Sequence, residues 1–185
     1  MMTTTNMQIV RNTPRLLLRR LDTDDISAVH RMLNDEDVAR MLIGIPHPIS
    51  REWTGDWVTD IDAAIEWGIA FNFAITRKSD DALMGCVGLD LNAEYRRAEL
   101  GYWIGRSYWG QGYATEAARR MLRFGFDEIG LNRITSTVFP HNSVSAHVLD
   151  KLGMKYEATL RRSIFKWDHY EDLDCYGLLK SEFKP

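Results

Sequence analysis

Apolar positions along the chain change period twice, and those changes mark out its elements. Arg15 to Leu21 reads as a first strand, and Asp22 and Thr23 are helix-start signals before Ile26, Val29, His30 and Leu33 at helical spacing. Gly44-Ile45-Pro46-His47-Pro48 then breaks regular structure and is expected to form a mobile lid. Ser50 can cap a second helix that carries Trp53, Trp57, Ile61 and Ile65 on one face. From Ile69 the period becomes two. Ile69, Phe71, Phe73 and Ile75 alternate with smaller or polar residues, Arg77 to Asp81 reads as a turn, and Leu83 to Leu91 returns as the second arm of a hairpin. A third strand, Ala98 to Ile104, places Ala98, Leu100, Tyr102 and Ile104 on one face and Glu99, Gly101 and Trp103 on the other.

Helical periodicity resumes from about Tyr113 to Ile129, with Ala114, Ala117, Ala118, Met121, Leu122, Gly125 and Ile129 in one stripe. Arg133 to Phe139 is rich in Ile, Thr and Val and reads as a strand; Asn142 caps a short helix that Gly153 ends. Two closing strands are expected near Met154 to Arg161 and Asp174 to Leu179. This order predicts an α/β fold with a mixed sheet and helices on both faces.

Length and charge narrow the function. At 185 residues with 45% hydrophobic side chains, the chain suits one domain, taken as residues 13–185 after a flexible segment 1–12. Lys plus Arg number 23 against 26 Asp plus Glu, and a net charge of −3 gives no basic footprint for nucleic acid. No apolar run approaches the roughly 20 residues of a membrane span, and the polar start Met1 to Met7 lacks a signal-peptide apolar region, so a cytoplasmic protein is expected. Cys86 and Cys175 form no CxxC pair and read as half-buried strand thiols; no metal is expected.

The candidate chemistry lies between the third strand and the long helix, in Trp109-Gly110-Gln111-Gly112-Tyr113-Ala114-Thr115. Two glycines one residue apart let the backbone turn tightly, and the helix that follows offers unpaired N–H groups and about half a positive charge at its N-terminus. An anion suits that position. No Lys-Ser or Lys-Thr follows, as a Walker loop requires, and the third glycine of a dinucleotide fingerprint is missing.

The stretch Ala98-Glu99-Leu100-Gly101-Tyr102-Trp103-Ile104, continuing through Trp109 to Ala117, closely resembles the GNAT superfamily of N-acetyltransferases, in particular the RimJ/RimL-like branch that acetylates ribosomal-protein N-termini. The resemblance extends to Pro140-His141-Asn142-Ser143-Val144-Ser145, to Leu149-Asp150-Lys151-Leu152-Gly153-Met154 and to Tyr170 through Leu179. It implies a central, mostly antiparallel twisted sheet of about seven strands with about four helices, and acetyl-CoA as cosubstrate. By resemblance, Trp109, Gly110, Gln111, Gly112, Tyr113, Ala114 and Thr115 hold the coenzyme A pyrophosphate, Trp103 and Ile104 hold the pantetheine arm on a splayed strand, and Asn142 also contacts that arm. Trp109 stands where the family usually has Gln or Arg.

Acetyl transfer to an amine needs a neutral nucleophile and a stabilised leaving thiolate. Glu99 resembles the family's candidate base, the alternative being a strand carboxylate paired with Arg97 or Arg106. Many members carry a Tyr acid seven residues after the Asn that opens the last helix; that position is Leu149 here, and Ser145 matches the hydroxyl of the ribosomal-protein branch. Ser145 is therefore the expected acid, or else a first-turn serine that bonds only backbone. The acceptor is an amine, either a protein N-terminus or a small molecule such as a polyamine, amino acid or antibiotic; a coenzyme A sensor without turnover is the alternative class. Trp53, Trp57 and His47 could line an acceptor groove or belong to core and loop. The acidic run Asp168, Glu171, Asp172 and Asp174 could attract a cationic acceptor, a solvated turn being the commoner explanation for such a run, and pairing of two copies as a homodimer stays open.

Overall fold

The period-two segments at the centre of the chain become the middle of an eight-stranded sheet. A computed structural model describes residues 11–184. Its strands are β1 (Arg11–Asn12), β2 (Leu16–Arg19), β3 (Ala70–Arg77), β4 (Leu83–Asn92), β5 (Arg97–Ile104), β6 (Arg133–Val138), β7 (Lys155–Lys166) and β8 (His169–Leu179). Its α-helices are α1 (Ile26–Leu33), α2 (Glu36–Ala39), α3 (Arg51–Trp67), α4 (Tyr113–Arg123) and α5 (Ser143–Lys151). The strand order is β1-β2-β3-β4-β5-β6-β8-β7, and every neighbouring pair is antiparallel except β5–β6.

Alternation along the strands divides the core into two layers. Phe73, Ile75, Leu89 and Leu100 pack with Ala117, Ala118, Met121 and Leu122 of α4 on one side. Ala74, Cys86 and Trp103 pack with Val29 and Leu33 of α1 and Val58 and Ile61 of α3 on the other. Each fully buried Leu, Ile or Phe contributes about 1.5–3 kcal/mol of transfer free energy, so the two stripes together hold the helices against the sheet. Ser50 caps α3 as expected, its hydroxyl accepting from the Trp53 N–H at 3.0 Å.

Several elements differ from the sequence expectation. Of the segment 1–12, residues 1–10 lie outside the described residues, whereas Arg11 and Asn12 form β1 against Leu17 and Leu18. A two-residue strand carries too few positions to show a period. The long helical stripe is regular only to Arg123; Phe124–Ile129 winds as a π-helical turn that ends at Gly130 with φ of 81°. Gly125 lets this turn lie close on the sheet, since a Cβ there would stand 2.8 Å from Ile134 Cδ1.

The closing strands are much longer than expected. β7 and β8 form a hairpin whose two-residue turn, Trp167-Asp168, has φ of 48° and 65°. That conformation usually calls for Asn-Gly, and its absence hid the turn from the sequence. Asp168 thus sits in the turn itself, and Glu171, Asp172 and Asp174 lie on β8. They accept hydrogen bonds there from His169, from the Arg162 N–H and from the Thr159 hydroxyl, in that order, instead of forming a solvated turn.

β5 and β6 set up the site. They pair in parallel only over Arg97–Glu99 against Arg133–Thr135, joined by the crossover through α4. Beyond Glu99 no further pairs form between them, and the start of α5 faces the end of β5, with Tyr102 bonded to Ser145.

Candidate active site

Two cavities meet at this divergence. One, of about 460 Å³, is bounded by Ile104, Tyr108, Trp109, Gly110, Gly112, Tyr113, Ala114 and Thr115 along the turn and by Val144, His147, Val148 and Lys151 of α5. The other, of about 630 Å³, lies on the opposite side of the β5 wall, where Trp57, Asn72, Asp90, Glu99, Ser136 and Thr137 face it. They share Met41, Leu42, Tyr102, Trp103, Asn142 and Ser145.

The turn has the conformation its glycines allow. Gly110 and Gly112 have φ of 73° and 79°, and the first hydrogen bond of α4 runs from the Glu116 N–H to the Gly112 carbonyl. The N–H groups of Tyr113, Ala114 and Thr115 therefore have no helical partner and point out of the helix end beside the smaller cavity. Residues far upstream brace the turn. Glu116 Oε1 accepts from the Thr13 hydroxyl at 2.5 Å and the Arg15 N–H at 2.9 Å, and Arg15 also donates to the Gln111 carbonyl at 3.0 Å and lies over the Tyr113 ring. Burial pushes the Glu116 carboxyl up, but the hydrogen bonds from Thr13 and Arg15 outweigh it and hold the carboxyl below its ordinary value. Gln111 stays outside the cavity wall, its amide 3.5 Å from the Ser107 carbonyl.

Trp109 spends its indole N–H on the Ile104 carbonyl at 2.6 Å, so it ties the turn to the end of β5 and has no donor left for a ligand. Trp103 is buried, tilted against Trp57, and its indole N–H has no partner among the described residues. Asn142 caps α5 as expected, accepting from the Ser145 N–H at 3.1 Å, which leaves its amide donors for other partners.

Glu99 is placed in the larger cavity and pairs with neither Arg97 nor Arg106. Thr137 donates to it at 2.7 Å, while Arg106 is bound to Asp37 at 2.7 Å. Directly across the β4–β5 ladder stands Asp90, a carboxylate with no signal of its own in the sequence, because only the strand register puts it opposite Glu99. Burial and the charge of Glu99 push the Asp90 carboxyl up, against the opposing effect of a hydrogen bond from Asn72. Of the three candidate groove residues, Trp57 reaches the cavity wall; Trp53 stacks behind it at 6.2 Å, and His47 packs on Trp167 at 5.8 Å. Cys86 also borders this cavity, but burial pushes its thiol up to about 12, which leaves it inert.

The Gly44–Pro48 break lies next to the site, in a segment held by the far hairpin. Lys166 of β7 donates to the carbonyls of Ala39, Leu42 and Ile45 at 3.1, 2.8 and 3.3 Å, which holds Met41 and Leu42 over both cavities. Leu149, where the resemblance would place a tyrosine acid, is fully buried in the core.

Residues 15–155 match the family model of the acetyltransferase (GNAT) domain. The chain belongs to the GNAT family. It is 31% identical to the uncharacterized N-acetyltransferase p20 of Bacillus licheniformis over 172 residues, covering 92% of this chain and 96% of that one. It is 29% identical to the spermidine N(1)-acetyltransferase of Escherichia coli (strain K12) over 150 residues, 80% and 77% of the two chains. A solved GNAT-family acetyltransferase from Bacillus anthracis superposes with a TM-score of 0.84 at 28% identity, covering 94% of this chain and all of that one. The mixed sheet with helices on both faces is thus the GNAT fold, and the chain is an N-acetyltransferase. Among the described residues, no helix is long and apolar enough to cross a membrane.

Proposed function

We propose that this N-acetyltransferase moves an acetyl group from acetyl-CoA to a protein N-terminal α-amine by direct attack in a ternary complex. The observation that carries the reading is the pair of cavities joined at Tyr102, Trp103, Asn142 and Ser145. The glycine turn and the free N–H groups of Tyr113, Ala114 and Thr115 suit the pyrophosphate of the donor, with Lys151 adding positive charge on the same cavity wall. The amine enters from the larger cavity, where Glu99 takes its proton, directly or through water, with Thr137 orienting the carboxylate. As the carbon–sulfur bond breaks, its electron pair passes to sulfur and Ser145 donates a hydrogen bond to it; the thiolate then takes its proton from water.

An α-amine with a pKa near 7.7–8.0 is neutral in roughly a tenth of molecules at pH 7, so one carboxylate base suffices. The motifs of the ribosomal-protein branch support the same acceptor. A second reading, a polyamine acceptor, is favoured by Asp90 beside Glu99, since two carboxylates on one wall suit a polycation.

Thiol release with short peptides, their N-terminally blocked counterparts and spermidine separates these readings. The proposal expects turnover with free but not blocked peptides; faster turnover with spermidine selects the second reading, and coenzyme A binding with no turnover on any amine points to a sensor. Glu99→Gln should lower kcat/KM on the order of a hundredfold at pH 7 and recover as rising pH deprotonates the amine unaided.

A further inference from the structure

Tyr102 lies on the wall common to both cavities, and acetyl transfer through Glu99 and Ser145 leaves it without a task. Its hydroxyl oxygen is 2.9 Å from Ser145 Oγ and 3.2 Å from the Ser145 carbonyl oxygen. A phenol has a single proton, so it can serve only one of these acceptors at a time. The backbone of Ser145 is itself fixed, because its N–H is bonded to Asn142 Oδ1. The serine hydroxyl therefore lies between the phenol on one side and the open cavity on the other.

Two hydrogen-bond arrangements fit this geometry. In the first, Tyr102 donates to the Ser145 carbonyl and the Ser145 hydroxyl donates back to the phenol oxygen, which leaves the cavity without a hydroxyl donor. In the second, Tyr102 donates to Ser145 Oγ, and the serine proton is free to face the cavity. We infer that Tyr102 is a positioning residue that, by donating to Ser145 Oγ, turns the serine proton toward the sulfur of the departing coenzyme A.

Charge on the sulfur selects the second arrangement, because two hydrogen bonds in series polarise each other and the charged acceptor strengthens both. No proton is lost along this chain. Burial pushes the phenol up to about 12, well above a thiol near 8.5, so Tyr102 keeps its proton and both hydroxyls only rotate. The hydroxyl that the buried Leu149 cannot offer is supplied indirectly, from the strand, through Ser145.

The inference rests on the acetyl-transfer reading, and its test needs no acceptor. Coenzyme A bound to the protein is titrated by the ultraviolet absorbance of its thiolate. The wild-type complex should show a thiol pKa below that of free coenzyme A. Tyr102→Phe keeps the ring and should raise this pKa by about 0.7, the equivalent of one neutral hydrogen bond or a fivefold change. Ser145→Ala should raise it at least as far, and the double variant no further than Ser145→Ala alone. Calorimetry below the thiol pKa should give coenzyme A affinities for Tyr102→Phe and wild type that agree within about twofold, because the ring still fills the wall.

An unmoved thiol pKa in Tyr102→Phe overturns the inference, as does a further rise in the Ser145→Ala background, which would show the phenol acting without the serine. Failure of the wild type to bind coenzyme A would instead sink the acetyl-transfer reading. In turnover, with whichever of the peptides or spermidine reacts fastest, Tyr102→Phe should lower kcat about fivefold at unchanged KM for acetyl-CoA.

Discussion

Replacing Lys166 with Met tests whether the β7–β8 hairpin holds the site's roof in place. The ammonium has three hydrogens, and the Ala39, Leu42 and Ile45 carbonyls at 3.1, 2.8 and 3.3 Å take all three. It also lies 4.8 Å from the centre of the Trp167 ring. Hydrogen bonds to a charged group contribute about 1.5–3 kcal/mol each, but burying the half-exposed ammonium is costly, which also lowers its pKa. Counting only the short bond to Leu42 in full, and letting water replace the two longer ones, gives a loss of about 2 kcal/mol. For a chain of this size that lowers Tm by about 4–8 °C. The effect should be local as well as global. Hydrogen exchange should quicken in residues 39–48, and KM should rise for both acetyl-CoA and the amine, because Met41 and Leu42 border both cavities. Lys166→Arg should not rescue, since a planar guanidinium cannot point three bonds at three carbonyls spread around one atom. A Tm within about 1 °C of wild type together with unchanged exchange in 39–48 would refute the tether.

Two further outcomes test the donor and acceptor sides separately. Gly112→Val puts an L-residue at φ of 79°, which costs about 1–2 kcal/mol, although the new Cβ meets nothing closer than Arg15 Nη2 at 3.5 Å. Its larger effect should be on coenzyme A, with calorimetry showing at least a tenfold weaker Kd because the side chain blocks approach to the turn's N–H groups; equal affinity would sink the phosphate assignment. Asp90 has a raised carboxyl pKa, so the folded state binds its proton more tightly than the unfolded state, and stability falls as pH climbs from the unfolded value through the folded one. Asp90→Asn should therefore melt higher than wild type at pH 7, lose that advantage below pH 3, and show a higher KM for spermidine; a lower melting point at pH 7 would contradict a carboxylate destabilised by burial.

What the chain determines locally is legible in its residues alone. The turn before α4 follows from two glycines ahead of a helix, since only glycine holds positive φ at no cost. Asn142 and Ser50 announce the helices they cap, and the change from helical to period-two spacing locates β3, β4 and β5. Each of these signals resides in a short stretch of neighbouring residues, so none of them depends on tertiary context.

The rest depends on residues brought together from far along the chain. Asp90 stands opposite Glu99 only because β4 and β5 pair in that register, and a slip of one residue would carry it to the other face. Tyr102 meets Ser145 across 43 residues, and Lys166 reaches carbonyls more than 120 residues upstream. Such hydrogen bonds leave no period or motif behind them, because each joins one side chain to one distant group. The sequence by itself therefore determined the glycine turn and the open helix end beside the smaller cavity, through backbone conformation. Only the tertiary structure decided which side chains face one another in the two cavities, because register and long-range packing set those distances.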